Sequence, residues 1–182
     1  MDGRRGGVTE VSPLSVERAV RARTAGLDLD HRAMAVLSNI FRVSTAIRRH
    51  MESTVLGPDG LSWTAFVTLW CLWISGEMES RELAAAVGIS KPTSTGVVTT
   101  LERRGLVRRS KGGGDGRMVR VGLTSEGARL IEALFPRFNA EESAVASVLD
   151  PATQDQVANG LRALLRGLDH GNQPTQGTQG RG

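Results

Sequence analysis

The sequence predicts a mostly α-helical fold with one small β-hairpin, an α+β chain. Three observations predict it. Apolar residues recur at steps of three and four over most of the length, the period of a helix that buries one face. Around Lys111-Gly112-Gly113-Gly114-Asp115-Gly116 the period drops towards two, as in two strands joined by a glycine-rich tip. Just ahead of it, two short helical segments are joined by Gly88-Ile89-Ser90, a helix-turn-helix pattern.

Size and composition fit one folded domain with tails. Of 182 residues, 40% are hydrophobic, enough for a core without covalent staples. The single Cys71 cannot form an internal disulfide, and no apolar run approaches the roughly 18 residues that would span a bilayer. The opening MDGRRGGVTEVSP has an arginine pair but no apolar stretch behind it, so it does not read as a secretory signal. A cytoplasmic protein that touches no membrane is expected.

Residues 1–13 and 169–182 are rich in Gly, Pro, Gln and charge and read as tails. Residues 14–27 predict a short helix closed by Gly26, with DLDHR as a connection, so 14–32 form an N-terminal extension. From Ala33 to Leu56, Met34, Leu37, Ile40, Phe41, Ile47, Met51 and Val55 make one stripe of a long helix that ends at Gly57-Pro58-Asp59-Gly60. Ser62 is placed to cap a second helix carrying Trp63, Phe66, Val67, Leu69, Trp70, Trp73 and Ile74, apolar enough all round for the middle of the core.

Gly76 breaks that helix, and Ser80 is expected to cap the next, RELAAAV. The segment KPTSTGVVTTLERRG follows, with Pro92 in the first turn, where its missing N–H costs nothing, and Gly105 at the C-terminal stop. Strands are expected at 106–110 and 117–123. Thr124 then caps a helix with Glu126 in its first turn, bent near Pro136, and Asp150-Pro151 opens a last helix with Val157, Leu161, Leu164, Leu165 and Leu168 on one side.

The charge is unevenly spread. The chain carries +4, yet from Arg81 to Arg120 nine cations (Arg81, Lys91, Arg103, Arg104, Arg108, Arg109, Lys111, Arg117, Arg120) stand against three anions (Glu82, Glu102, Asp115), a net +6. A charge excess confined to 40 residues is what a phosphate-binding surface requires.

A helix-turn-helix followed by a basic hairpin is a winged helix, and from Leu61 to about Leu168 the chain resembles the multiple-antibiotic-resistance regulator (MarR) family of transcription factors. The resemblance rests on LSWTAFVTLW as a helix, RELAAAVGISKPTSTGVVTTLERRGLV as the reading motif, and Asp115-x-Arg117 followed by VRVGLTSEG. It implies a winged helix-turn-helix at 61–124 within a domain at 33–168, with dimerisation helices at 33–60 and 125–168. It also implies a recognition helix from Ser90 to Arg103 in the major groove and Arg117 in the minor groove.

A helical-wheel count puts Val97 and Leu101 on the core side of that helix and Lys91, Pro92, Thr95, Thr99 and Arg103 on the other, with Gly96 beside them. With Ser90 and Thr93 at its start, these are the expected DNA contacts, and Asp115 is placed to orient Arg117. Many relatives carry arginine where this helix has Gly96 and Thr100, so bidentate reading of guanine is reduced here, and shape and phosphate contacts must supply more. The uncovered stripe from Met34 to Val55 predicts a homodimer, whose symmetry calls for an inverted-repeat operator in double-stranded DNA. Repression is the simplest outcome of occupying a promoter. Activation, or a winged helix used only for protein contacts, is the alternative.

Family members commonly release DNA on binding a small aromatic or anionic effector, for which Arg48, His50, Trp63, Trp70 and Trp73 are the candidates here, although tryptophans on one apolar helix also read as core. The extension is similar to that of the urate-responsive branch, but residues 1–32 contain no Trp and Val67 stands where that branch tends to be acidic, which argues against urate. Cys71, between Trp70 and Leu72, reads as a buried, inert thiol rather than a peroxide sensor. His31, His50 and His170 lack metal-ligand spacing, and Gly112–Gly116 lacks the Lys-Ser/Thr of a phosphate loop, so no metal, cofactor or enzymatic activity is expected.

Overall fold

The structure, a computed structural model, describes residues 12–111 and 118–171. Helix α1 (Pro13–Arg23) lies against α2 (His31–Met51), where the Asn39 side-chain amide donates to Glu17 Oε1 at 2.7 Å. Asp30 starts α2 two residues before the expected Ala33, its carboxylate accepting from the N–H groups of Arg32 and Ala33 at 3.0 and 2.9 Å. The helix continues through one wide turn at Glu52–Leu56 and a tight one at Gly57–Asp59, and Gly60 closes it at φ 62°, in the left-handed region that favours glycine.

Helix α3 (Trp63–Ser75) is capped as expected by Ser62, whose hydroxyl accepts from Ala65 N–H, and Glu52 adds a second acceptor for Trp63 N–H at 2.7 Å. It buries Phe66, Thr68, Leu69, Cys71 and Leu72. It is not enclosed all round, however: Trp70 and Ile74 are exposed. A run that is apolar on every side cannot tell a helix enclosed within one chain from one whose outer face stays uncovered.

A strand absent from the sequence reading follows. β1 (Met78–Glu79) joins β2 (Val107–Lys111) and β3 (Val119–Leu123) in an antiparallel sheet of order β1-β3-β2, with Met78 opposite Val121 and Val107 opposite Leu123. Two residues are too few to show a period of two. The same strand displaces the expected cap of α4 (Ser80–Val87): Glu79 holds the N-cap position and its N–H donates to Glu82, while the Ser80 hydroxyl donates to Val119 O at 3.1 Å, tying the helix to β3. Gly88, at φ 73°, turns the chain into α5 (Lys91–Arg103).

On α5 the core side is Ser94, Val98 and Leu101, with Val97 only half-buried, so the wheel count is one residue off at its centre. Helices α6 (Ser125–Ala146) and α7 (Pro151–Gly171) complete the chain, α6 running through Pro136 and α7 three residues past Leu168. The Thr124 hydroxyl donates to Gly105 O at 2.6 Å and accepts from Gly127 N–H at 3.0 Å, clamping the start of α6 to the end of α5. One core, centred on Met51, Leu56, Leu69, Leu72, Leu83, Leu101, Val121, Ile131 and Leu134, joins α2, α3, the winged helix and α6. The winged helix is therefore mounted on the helices that flank it in sequence.

Candidate nucleic-acid interface

The recognition helix is held at its start by Ser90, whose hydroxyl accepts from Thr93 N–H at 3.3 Å and lies 2.8 Å from Thr93 Oγ1. Lys91, Pro92, Thr95, Gly96, Thr99 and Arg103 are all exposed and share one outward face, as the sequence predicted. Lys91, Thr95 and Thr99 of that face, with Ser94 and Val98, form one wall of a groove of about 450 Å³, lined also by Glu79, Ser80 and Arg81 of the β1–α4 junction and by Arg109, Met118 and Val119 of the wing. Asp115 and Arg117, the expected minor-groove pair, lie outside the described residues.

Not every cation of the basic segment faces outward unpaired. Glu77 and Glu79, just ahead of the counted window, take up three: Arg81 is 3.1 Å from Glu79, while Arg108 and Arg120 lie 3.1 and 3.2 Å from the Glu77 carboxylate. Glu77 also accepts from the Ser110 hydroxyl at 2.9 Å. That hydrogen bond is the main cause, with Arg108 and Arg120 next, that holds its carboxyl below the ordinary glutamate range. Arg104 donates to the carbonyls of Gly60 and Asp59 at 2.7 and 2.8 Å, pinning the end of α5 to the turn before α3. Lys91 and Lys111 have no ion-pair partner among the described residues.

Arg109 was counted only as charge, and the structure gives it a place. It reaches from β2 across α5, donating to Glu102 at 2.5 Å, to Thr99 Oγ1 at 2.8 Å and to Thr95 O at 3.3 Å. Strand parity carries the signal: Val107 is buried and Arg108 exposed, so position 109 turns back towards the helix.

The expected effector residues are only partly gathered. His50 Nε2 is 2.5 Å from Glu141 Oε1, linking α2 to α6, and Trp63 packs against Phe138 of the same helix with ring centroids 6.0 Å apart. Arg48 is exposed on α2, Trp70 is exposed on α3, and Trp73 packs at a tilt against Phe135, ring centroids 5.5 Å apart. Cys71 is buried, and burial raises its thiol pKa, which leaves the thiol protonated at neutral pH. Among the described residues no group of three or more His, Cys, Asp or Glu could hold a metal ion, and no helix is long and apolar enough to cross a membrane.

A helix-turn-helix carrying a three-stranded wing, with cations along the exposed face of its second helix, defines a winged-helix DNA-binding transcriptional regulator. The family model described as MarR family matches residues 61–119. YwaE of Bacillus subtilis, described as an uncharacterized HTH-type transcriptional regulator, is 34% identical over 140 residues, covering 77% of this chain and 82% of YwaE. The Staphylococcus aureus MepR–DNA complex superposes with a TM-score of 0.64 at 26% identity, covering 72% of this chain and 97% of that one. Bordetella bronchiseptica BpsR, whose DNA binding is regulated by 6-hydroxynicotinic acid, gives 0.63 at 25% identity over 70% and 97%. The chain belongs to the MarR family.

Proposed function

We propose that this regulator works as a homodimeric repressor in the cytoplasm, without catalysis, and that it binds a near-palindromic operator and leaves it when a small aromatic or anionic effector binds. The observation that carries this reading is the outward face of α5, where Ser90, Lys91, Pro92, Thr93, Thr95, Gly96, Thr99 and Arg103 are free of the core. That face fits a major groove, and the family resemblance assigns Arg117 to the adjacent minor groove, with Asp115 as the residue to orient it.

The dimer is supported by what the protomer leaves uncovered. Helix α7 has no buried residue among its described side chains, although Val157, Leu161, Leu165 and Leu168 lie on it, and Phe41 and Leu37 of α2 are 71% and 50% exposed. Helices at 33–60 and 125–168 that pair two copies would cover both surfaces, with α1 as an extension packed on α2. Two-fold symmetry then spaces the half-sites by about one helical turn, ~10 bp.

The effector reading draws on BpsR and on the meeting of His50, Glu141, Trp63 and Phe138, where a ligand can part α2 from α6; Arg48 and Trp70 lie on the helices around it. Protection footprinting on the DNA flanking the protein's own gene, with and without a panel of aromatic carboxylic acids, tests the proposal. A protected inverted repeat that is released by one of the acids is expected. Absence of any protected repeat contradicts it.

A further inference from the structure

We infer that Arg109 is a positioning residue for sequence readout: by taking one lone pair of the Thr99 oxygen it turns the Thr99 hydroxyl proton outward as a donor towards DNA, while Thr95 four residues earlier, its proton already spent, is left as an acceptor. The inference rests on the proposal that α5 enters the major groove.

The polarity follows from which partner can hold a proton. A guanidinium has donors only, so at 2.8 Å the Arg109 Nη2 donates and Thr99 Oγ1 accepts. The Thr99 proton has no acceptor among the described residues and is available to an outside group. At Thr95 the partner is the Lys91 carbonyl, which can only accept, so the hydroxyl proton is spent inside the helix at 3.0 Å. Thr95 then offers lone pairs and a methyl group. Both side chains are exposed on the same face, about 6 Å apart along the helix axis.

In the major groove the acceptor at Thr95 matches the amino group of cytosine or adenine, and its methyl also suits the thymine methyl. The donor at Thr99 matches guanine O6 or N7, adenine N7 or thymine O4. Arg109 is itself held by Glu102, which accepts from both its guanidinium and its main-chain N–H, the latter at 3.3 Å. Its charge is therefore answered within the protein, and its effect on DNA is exerted through the threonine.

Full-length protein is used to select preferred duplexes from a random double-stranded pool, and the consensus is then measured with each base pair replaced. Thr99→Val and Arg109→Gln should relax discrimination at the same position of each half-site, about two- to tenfold, the worth of one net hydrogen bond. Combining them should relax that position no further, and 7-deazapurine placed there should erase the wild-type preference where the reader is purine N7. Thr95→Val should relax a different position, and Thr99→Ser should behave as wild type. None of these changes should alter the salt dependence of binding.

If Arg109→Gln weakens binding to all duplexes alike and makes log K less steep in log salt by nearly 2 per dimer, Arg109 is a phosphate contact and the inference falls. It falls equally if Thr99→Val leaves every base preference intact, a result that does not depend on how Arg109→Gln folds. A wild-type protein that selects no consensus would instead overturn the proposed function.

Discussion

Glu77 holds Arg120 twice: its carboxylate accepts from Arg120 Nε at 3.2 Å, and its main-chain carbonyl accepts from Nη2 at 2.8 Å. The same carboxylate takes Ser110 and Arg108, so one residue ahead of β1 joins the β2 and β3 strands of the wing. Because the folded pKa lies below the unfolded one, this contribution to stability is present above the ordinary value of 4.5 and is lost as pH falls through the folded value. Glu77→Gln should therefore lower the urea midpoint at pH 7, and the gap to wild type should narrow between about pH 5 and pH 3. A gap that does not change with pH would mean that the charge of Glu77 plays no part.

Phe41 tests the dimer. It is 71% exposed on α2, so Phe41→Glu should leave the protomer folded while removing an apolar contact from each side of the interface. Burying a phenylalanine contributes about 1.5–3 kcal/mol, and the loss occurs twice, so the dimer should weaken by at least about a hundredfold. Light scattering should give about twice 19.5 kDa for wild type and a lower mass for the variant, with unchanged circular dichroism. Equal masses would place the interface elsewhere.

Two glycines should respond in opposite ways to alanine. A Cβ on Gly127 would lie 2.0 Å from Leu106 O, a backbone atom already accepting from Thr124 N–H, so neither partner can yield easily. Gly127→Ala should cost about 1–3 kcal/mol or more, as overpacking does. Gly96 has nothing within 4 Å of that position and sits inside a helix, so Gly96→Ala should stabilise by roughly 0.5–1 kcal/mol. Denaturant midpoints measure both.

Arg117 and Thr95 separate the wing from the recognition helix. Arg117→Ala should weaken binding to all sequences and make the slope of log K against log salt shallower by about 0.9 per arginine, nearly 2 per dimer. Thr95→Ala should leave the slope alone and reduce discrimination at one base position by at most ~1–3 kcal/mol. An unchanged slope for Arg117→Ala would remove the wing tip from the interface.

The helices were legible in the sequence because caps and periods announce them: Ser62 and Thr124 cap as read, and Gly88 and Gly105 take positive φ where turns were expected. The outward face of α5 was legible for the same reason. What escaped was non-local. Strand β1 has only two residues and owes its existence to β3, and it shifts the start of α4 by one position. The engagement of Arg81, Arg104, Arg108, Arg109 and Arg120 could not be read from a charge count, because their partners lie up to 45 residues away. The exposure of Trp70 likewise depends on what packs around α3 rather than on its composition.

The central claim is that two copies of α5 read an inverted repeat. Its most direct test is selection of duplexes by full-length wild-type protein from a random double-stranded pool, followed by sequencing. Enrichment of a near-palindrome with half-site centres about 10 bp apart, bound by one dimer, is the predicted result. Enrichment of a single unrepeated site, or none beyond the starting pool, would contradict it.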